Sequence, residues 1–301
     1  MAFIIEVKMV VGIVGASGLI GSELANAFIE LGVQVVRISR TKREVVDQEW
    51  RVLDQRCLEG LDVVINLAGE PIGQRWSEGN REKFYESRVG VTQCLHRWIL
   101  ALPLHKRPSV WLNTSAVGIY GDRGGEELDE LSSLGEGYLA ELCADWENAA
   151  NAEPISGCKV LKPRIGIVLD SDADAWLKMK RPFLYGVGGK LGTGKQWFPW
   201  VHLQDVVGAL VFLSLSSHPE GVYNIVAPEP VTNTYFTKAL GRALSRPAVC
   251  AVPAFVLGLI LGDFSQALLA SQRVIPNKLE ALGFKWEYRT LEAALIELCD
   301  H

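Results

Sequence analysis

The stretch VVGIVGASGLIG, residues 10–21, decides the fold. Its apolar start predicts a strand buried on both faces, and the helical pattern that follows, SELANAFIELG (22–32), ends at Gly32. Glycines 15, 18 and 21 lie around the junction of strand and helix. This spacing allows a tight turn, close approach of a pyrophosphate and packing of the helix on the sheet, while the helix N-terminus presents N–H groups to phosphates. The stretch predicts a dinucleotide site, and a tight structural turn is the alternative.

The first half of the chain repeats this alternation of apolar strands and helical patterns. Further strands are predicted in QVVRISR (34–40), DVVINLAG (62–69), SVWLNTSAVGIYG (109–121) and CKVLKPRIGIVLD (158–170). The alternation predicts an α/β chain with a doubly wound parallel sheet. From about residue 170, glycine-rich loops and aromatic residues interleave with short elements. We therefore expect a nucleotide-binding domain at 1–170, joined by a later part at about 200–227, and a smaller substrate domain at 171–301.

Composition excludes several classes of protein. The net charge of −5 argues against general nucleic-acid binding, because neutralising phosphates needs a basic face. The six cysteines are scattered without a CxxC pair, so we expect reduced thiols rather than a disulfide framework. The histidines show no paired spacing, so no metal site is predicted.

No segment of the sequence predicts a membrane attachment. The start lacks the basic and apolar regions of a signal peptide. The apolar run VPAFVLGLILGDF (252–264) is too short to span a bilayer and is expected to form a buried helix. The sequence thus predicts a cytoplasmic protein with no membrane contact, leaves an organelle address open, and is compatible with a homodimer.

The end of the second strand indicates which dinucleotide binds. An NAD site usually has an acidic residue there. Here Ser39 and Arg40 are followed by Lys42 and Arg43. A hydroxyl and a forked guanidinium suit a 2′-phosphate, which favours NADP (NADPH) over a merely solvated basic turn.

Later motifs supply further candidates. Leu67 and Ala68 end a strand with small or apolar residues whose backbone can contact a cofactor, and Arg88 either reaches toward it or lies on a surface helix. Ser115 follows a strand at the carboxyl edge, where its hydroxyl can bind a substrate oxygen. Tyr120 either packs on the substrate side or fills its loop.

The segment GGKLGTGKQ (188–196) nearly spells a phosphate-binding P-loop. Gln196 replaces the required Ser or Thr, no apolar strand leads in, and WFPW follows instead of a helix, so we reject that function. We expect a basic, aromatic wall of the pocket for a small-molecule substrate, with Lys195, Trp197 and Trp200 near its opening.

Taken in order, these motifs resemble one family. GASGLIG, SR, NLAGEPI, ESRV, TSAVGIYG, YLAELCADWE, FPWVHLQDVVGAL and a tail at about 248–297 are similar to the extended short-chain dehydrogenase/reductase superfamily, in its NAD(P)-dependent epimerase-family subgroup. The resemblance implies a Rossmann-type domain with a seven-stranded parallel sheet, a small C-terminal substrate domain, and a structural Asp205 that caps a helix. It also implies cofactor contacts at Gly15, Ser17, Gly18, Leu19, Ile20, Ser39, Arg40, Leu67, Ala68, Arg88 and Leu169.

The chain departs from the superfamily at its catalytic pair. Extended members use Tyr-x-x-x-Lys, but here Tyr138 is followed by Leu142 at the lysine position. Ser115 therefore stays the candidate that orients a substrate oxygen, with Tyr138 or Tyr120 as phenolic acid. The resemblance implies hydride transfer on a small, sugar-nucleotide-like substrate, and the alternative is a non-catalytic NADPH-binding regulator.

Overall fold

The computed structural model describes residues 9–215 and 218–299. The expected absence of a signal peptide concerns mainly residues 1–8, which lie outside the described residues. The strands, in chain order, are β1 (Val10–Val14), β2 (Gln34–Ser39), β3 (Glu49–Val52), β4 (Val63–Asn66), β5 (Val110–Asn113), β6 (Ser115–Ala116), β7 (Glu127–Leu128), β8 (Lys159–Ile165), β9 (Ile167–Leu169), β10 (Gly189–Leu191), β11 (Trp197–Phe198), β12 (Trp200–His202), β13 (Gly221–Ile225), β14 (Val231–Thr232), β15 (Cys250–Val252) and β16 (Arg273–Val274).

Helices follow most strands of the first half and dominate the second. They are α1 (Leu19–Glu30), α2 (Glu78–Tyr85), α3 (Val91–Ala101), α4 (Tyr138–Ala150), α5 (Asp174–Leu184), α6 (Leu203–Leu215), α7 (Asn233–Ala243), α8 (Ala254–Leu261), α9 (Phe264–Leu269), α10 (Asn277–Ala281) and α11 (Leu291–Cys299). A π-helical turn at Glu86–Gly90 joins α2 to α3.

The main sheet confirms the predicted doubly wound α/β fold. Its strands lie in the order β13-β8-β5-β4-β1-β2-β3, and all of these pairs are parallel. The chain runs from β1 outward through β2 to β3, then returns to β4 on the other side of β1. Such a reversal opens a crevice at the carboxyl ends of the two inner strands, where open α/β sheets bind ligands.

The edge strand β3 escaped the sequence analysis. Its four residues, EWRV, are only partly buried, and they contain charged side chains on both sides of Trp50. A strand at a sheet edge has one neighbouring strand instead of two and is less buried. It therefore lacks the continuous apolar run that is typical of an inner strand. β1 and β4, by contrast, are almost entirely buried.

The second half adds to the main sheet and forms further short strands and helices. β13 lengthens the sheet beside β8, and α6 packs into the same core as α1. The remaining strands pair two by two, as β10·β15, β11·β14, β9·β12 and β7·β16. The domain boundary near residue 170 stays a proposal. β13 lies after that boundary in the sequence but belongs to the main sheet, as part of the later segment at about 200–227.

The helix predicted over 252–264 forms, but the prediction that it is buried is wrong. In α8 only Leu257 is buried, whereas Phe255 is 70% and Leu259 is 78% exposed. Hydropathy alone predicts burial, but the amount buried depends on what packs against the helix, and α8 packs mainly on the short α9. No helix within the described residues has the length and apolarity to cross a membrane.

Candidate active site

The glycine loop between β1 and α1 forms one wall of the crevice. Gly15 has φ +81°, and a Cβ there would lie 2.9 Å from the carbonyl carbon of Leu67. A Cβ on Gly21 would lie 2.4 Å from the Gly15 oxygen, so both positions require glycine. No side chain caps α1 at Gly18, which leaves its first N–H groups and the positive end of its dipole facing outward. Ser17 and Gly18 are exposed, and Leu19 and Ile20 are half-buried.

The basic turn after β2 leaves one cation without a partner. Lys42 pairs with Glu44 at 2.6 Å, and Arg43 lies over the Trp50 ring at 5.2 Å. The exposed Arg40 guanidinium has no hydrogen bond or ion pair to any described residue. The Ser39 hydroxyl donates to the Thr41 carbonyl, which fixes the turn. Arg40 is therefore the free group of this turn.

A buried polar network fixes the loop that holds Leu67 and Ala68. The Asn66 amide donates to Asn113 Oδ1 at 2.7 Å, and the Thr92 hydroxyl donates to the same oxygen at 3.0 Å. Asn66 Oδ1 in turn accepts the Ala68 N–H at 3.1 Å. The two half-buried loop residues thus present their backbone from a rigid support.

Ser115 is placed at the carboxyl edge of the sheet, on β6 beside β8. Its side chain is 3% exposed, and its Oγ has no hydrogen-bond partner among the described residues. The Asn113 Nδ2 close to it in sequence is also buried and unpartnered. Buried polar groups are normally satisfied, so this unpartnered hydroxyl, at the edge where open α/β sheets bind ligands, is a candidate for contact with a ligand.

Tyr138 begins α4 and packs between an aromatic ring and a cation. Its ring centroid lies 5.1 Å from that of Trp76, and Arg81 Cζ lies 4.4 Å from it on another side. Its hydroxyl donates weakly, at 3.4 Å, to the Arg81 carbonyl. Burial raises the pKa of Tyr138, and the charges of Arg81 and Arg88 offset part of that rise.

The position four residues after Tyr138, where the superfamily has a lysine, holds an apolar side chain with apolar neighbours. Leu142 is buried with Trp76, Phe84, Val89 and Trp146. Any cation that assists Tyr138 must come from another element.

Arg88 lies in the π-helical turn, and it is not the surface arginine of the alternative interpretation. The side chain is half-buried, and Nη1 donates to the Glu70 carbonyl at 3.0 Å. A Cβ on Gly69 would lie 3.0 Å from its Nη2, so the guanidinium lies against the loop after β4.

Tyr120 is in the core, which corrects its candidacy as the catalytic acid. It is 0% exposed, and its oxygen lies 2.8 Å from Asn224 Oδ1 and accepts from Arg164 Nη1 at 2.9 Å. Arg164 is itself held by two bonds to Glu147, at 2.8 and 2.9 Å. A fully buried phenol that is hydrogen-bonded to Asn224 and Arg164 is not open to a substrate, so Tyr120 fills the loop.

The predicted substrate wall stays a prediction for Lys195 and Trp197, and the structure excludes Trp200 from it. Trp200 is 1% exposed and packs in an apolar core cluster with Trp176, Phe183 and Leu295, so it does not line the pocket. Lys195 is exposed and Trp197 is half-buried, and both line a cavity of about 460 Å³ together with Asp122 and Ser271. Trp197 and Trp200 lie on the successive strands β11 and β12, and only their neighbours in space distinguish them.

Two further predicted residues are structural in position. Leu169 is fully buried at the end of β9, where it pairs with His202. Asp205 does not cap its own helix, because its oxygens accept the N–H groups of Glu287 at 2.7 Å and Tyr288 at 3.0 Å. It thereby holds the C-terminal segment to α6, which corrects the helix-cap expectation.

Sequence reasoning missed several residues around the crevice. Asn66 and Asn113 each end an apolar strand, and a polar residue at that point was the signal that could have identified them. Trp76 and Arg81 contact Tyr138 from a distant part of the chain, and Phe264 packs on Trp76 in turn. No local pattern in the sequence marks these residues.

Comparison with known proteins identifies the family of this chain. Residues 11–158 match the NAD dependent epimerase/dehydratase family, and residues 252–298 match a domain of unknown function, DUF1731. An epimerase family protein of Mycobacterium leprae is 36% identical over 295 residues, 96% of this chain and 95% of that protein. The chain belongs to the epimerase family. This confirms the resemblance to the epimerase-family subgroup of extended short-chain dehydrogenases.

Two solved structures of epimerase proteins share the fold. The human epimerase family protein SDR39U1, crystallised with NADPH, is 32% identical with a TM-score of 0.90, over 97% of this chain and all (100%) of that one. A nucleoside-diphosphate sugar epimerase from Corynebacterium glutamicum is 30% identical with a TM-score of 0.80, over 97% of this chain and 58% of that one.

Proposed function

We propose that this epimerase-family chain binds NADPH in the crevice and transfers hydride to a small carbonyl or sugar-nucleotide-like substrate. The observation that carries the proposal is the buried, unpartnered Ser115 hydroxyl, which lies on the same edge of the sheet as the glycine loop. A protein that only used the fold as a scaffold would be expected to satisfy this hydroxyl internally.

The residues around the glycine loop fit a dinucleotide phosphate. The uncapped start of α1 would hold the pyrophosphate, and the free Arg40 guanidinium would hold a 2′-phosphate through charge-assisted bonds. Support comes from the human relative, which was crystallised with NADPH. Leu67 and Ala68 would contribute backbone contacts.

When bound, NADPH supplies a hydride, and the chain's own groups handle the proton and the substrate oxygen. Ser115 Oγ is a free donor that orients this oxygen. Tyr138, with its pKa raised by burial, stays protonated at neutral pH and is suited to donate a proton rather than accept one. Reduction is therefore the direction that its protonation state favours.

A second candidate function is a non-catalytic NADPH-binding regulator. It is favoured by Leu142 at the lysine position, and by the Tyr138 hydroxyl, which bonds to the Arg81 carbonyl. The unpartnered Ser115 and the cavity beside Lys195 favour the enzyme.

Cofactor selectivity is tested with the Arg40→Ala variant and the matched control Arg56→Ala, another exposed arginine. Loss of charge-assisted bonds to a 2′-phosphate should weaken NADPH about ten- to hundredfold and leave NADH unchanged. Equal effects on NADPH and NADH would exclude Arg40 as the selective group.

Catalysis is tested by incubating the chain and NADPH with a panel of carbonyl and sugar-nucleotide compounds, following nicotinamide absorbance and the thermal shift. Turnover that is abolished in Ser115→Ala supports the enzyme. Stabilisation by NADPH without turnover of any compound supports the regulator instead.

A further inference from the structure

The C-terminal segment that matches the domain of unknown function reaches the neighbours of Tyr138. Within residues 252–298, α8 and α9 pack on each other, and Asp263 and Phe264 lie where α9 begins. The Phe264 ring lies 6.0 Å from the ring of Trp76, on the loop before α2, and it packs in the same apolar cluster as Tyr138. The start of α9 therefore lies beside the candidate proton donor.

The Asp263 carboxylate is not used by its own helix. An aspartate at the start of a helix commonly accepts a backbone N–H of the first turn, but Asp263 makes no such bond. Its Oδ2 instead accepts from Arg81 Nη2 on α2 at 2.7 Å. Among the described residues, Asp263 is the only carboxylate within ion-pair distance of Arg81. The bond thus joins the C-terminal segment to α2.

Arg81 contacts Tyr138 both with its side chain and with its backbone. Its Cζ lies 4.4 Å from the centroid of the Tyr138 ring, within the range of a cation–π contact. Its carbonyl accepts the Tyr138 hydroxyl at 3.4 Å. A long arginine side chain has many rotamers, so its place over the ring depends on what holds the guanidinium. The anchors are the Asp263 carboxylate and, at the longer distance of 3.4 Å, the Trp76 carbonyl, which accepts from Nε.

The ion pair matters more for geometry than for stability. The side chains of Arg81 and Asp263 are 38% and 54% exposed. Solvent screens exposed ion pairs, so this pair contributes little to the free energy of unfolding. It does select one rotamer of Arg81, because the carboxylate belongs to a helix that is packed in place by Phe264. Loss of the carboxylate should therefore change the surroundings of Tyr138 and leave the fold intact.

We propose that Asp263 is a positioning residue: by holding Arg81 against Tyr138, it keeps the phenol oriented to donate its proton to the substrate oxygen. The proposal rests on the proposed function, in which Tyr138 is the proton donor. It gives the C-terminal segment a role in the site, and Asp263 exerts this role through Arg81 rather than by contact with the substrate. Phe264 supports the same arrangement, because it packs on Trp76, whose ring lies 5.1 Å from that of Tyr138.

Fluorine NMR of the chain labelled with fluorotyrosine reports on Tyr138 without any substrate. The chain has seven tyrosines, and the resonance that is missing in Tyr138→Phe belongs to Tyr138. In Asp263→Asn we expect this resonance to shift or broaden, while the melting temperature changes by no more than about 3 °C. Asp263→Glu keeps the charge and should return the resonance towards its original position. The matched control is Glu280→Gln, which removes an exposed ion pair with Arg289 in the same segment and should leave the resonance unchanged.

A double-mutant cycle tests whether Asp263 acts through Arg81. In the Arg81→Gln background, Asp263→Asn should no longer change the Tyr138 resonance, because the intermediate group is gone. An equal change in both backgrounds would overturn the proposal. Should Arg81→Gln fail to fold, Asp263→Arg decides instead. Repulsion of the Arg81 guanidinium should then displace the resonance further than Asp263→Asn does, and an equal or smaller displacement would contradict the proposal.

Turnover separates failure of this proposal from failure of the proposed function. With a compound that the chain reduces, Asp263→Asn should lower kcat about ten- to hundredfold through misplacement of the proton donor, while the Kd for NADPH stays within about twofold. A Tyr138 resonance that Asp263→Asn leaves unchanged overturns the positioning role, whether or not a substrate is found. If that resonance is unchanged but Tyr138→Phe abolishes turnover, only the positioning role is wrong. If Tyr138→Phe turns over as fast as the unaltered chain, the proposed function is wrong in its proton donor, and the positioning role fails with it.

Discussion

Replacing Gly15 with alanine tests the reasoning on the glycine loop. At φ +81° a side chain costs about 1–2 kcal/mol in backbone strain. The new Cβ would also lie 2.9 Å from the Leu67 carbonyl carbon and oxygen, which are backbone atoms of a loop held by Asn66. Overpacking of this kind costs about 1–3 kcal/mol more. We expect the free energy of unfolding to fall by about 2–5 kcal/mol in total.

Gly32→Ala is the matched control for strain. Its φ is +74°, close to that of Gly15, but a Cβ there meets nothing within 4 Å. The strain of about 1–2 kcal/mol is partly offset, by about 0.4–1 kcal/mol, because alanine restricts the unfolded chain. The difference between the two variants therefore isolates the contact with Leu67.

Gly18→Ala separates stability from binding. Gly18 has φ −82°, and the nearest atom to its added Cβ is the Gly15 oxygen at 3.5 Å, an ordinary contact. Stability should change by less than about 1 kcal/mol, while NADPH affinity should fall because the pyrophosphate needs this space. Urea unfolding followed by tryptophan fluorescence, with NADPH titrations, measures both quantities. A Gly15→Ala variant no less stable than Gly32→Ala would refute the close-approach argument.

Three further predictions concern buried charges. Arg164→Met should lower the free energy of unfolding by about 3–5 kcal/mol, because Glu147 is left buried and unpaired, and urea titration should show that adding Glu147→Met recovers much of the loss. Asp205→Ala should cost about 2–4 kcal/mol and speed amide exchange at residues 287 and 288, whose N–H groups lose their acceptors; unchanged exchange would contradict this. Burial raises the pKa of Glu130, so protonation of Glu130 favours the folded state. The free energy of unfolding, relative to that of Glu130→Gln, should therefore be highest below about pH 4.3 and should decline as the pH rises through the raised pKa. An increase over that range would contradict the prediction.

Local chemistry made much of the fold predictable. The inner strands β1 and β4 are mainly apolar runs, and α1, which follows β1, has its own periodicity and a glycine, Gly32, just after its end. The phosphate loop needs only three glycines and the strand and helix that flank them, all within residues 10–32. Such short patterns predict the folded structure correctly because each depends on interactions among a few neighbouring residues.

Burial, in contrast, is decided by partners that are remote in sequence. Two tyrosines were candidates for the same proton transfer, and Tyr120 was excluded because Arg164 and Asn224 enclose its hydroxyl from elsewhere in the chain. α8 is as apolar as an inner helix, but little packs against it. No local sequence pattern predicts which of two similar side chains will be enclosed by residues that are remote in the sequence.

The sequence by itself therefore determined the parallel sheet, the glycine loop and the basic turn after β2, because each depends on adjacent residues. Only the tertiary structure decided that Trp197 lines a cavity while Trp200 is buried, and that Ser115 keeps a free hydroxyl. It also brought Arg88 to the helix face where YLAELCADWE (138–147) has Leu142 in place of lysine. The reason is physical: the neighbours of a side chain are set by how elements that are remote in the sequence pack together, as α4 packs against the turn that carries Arg88.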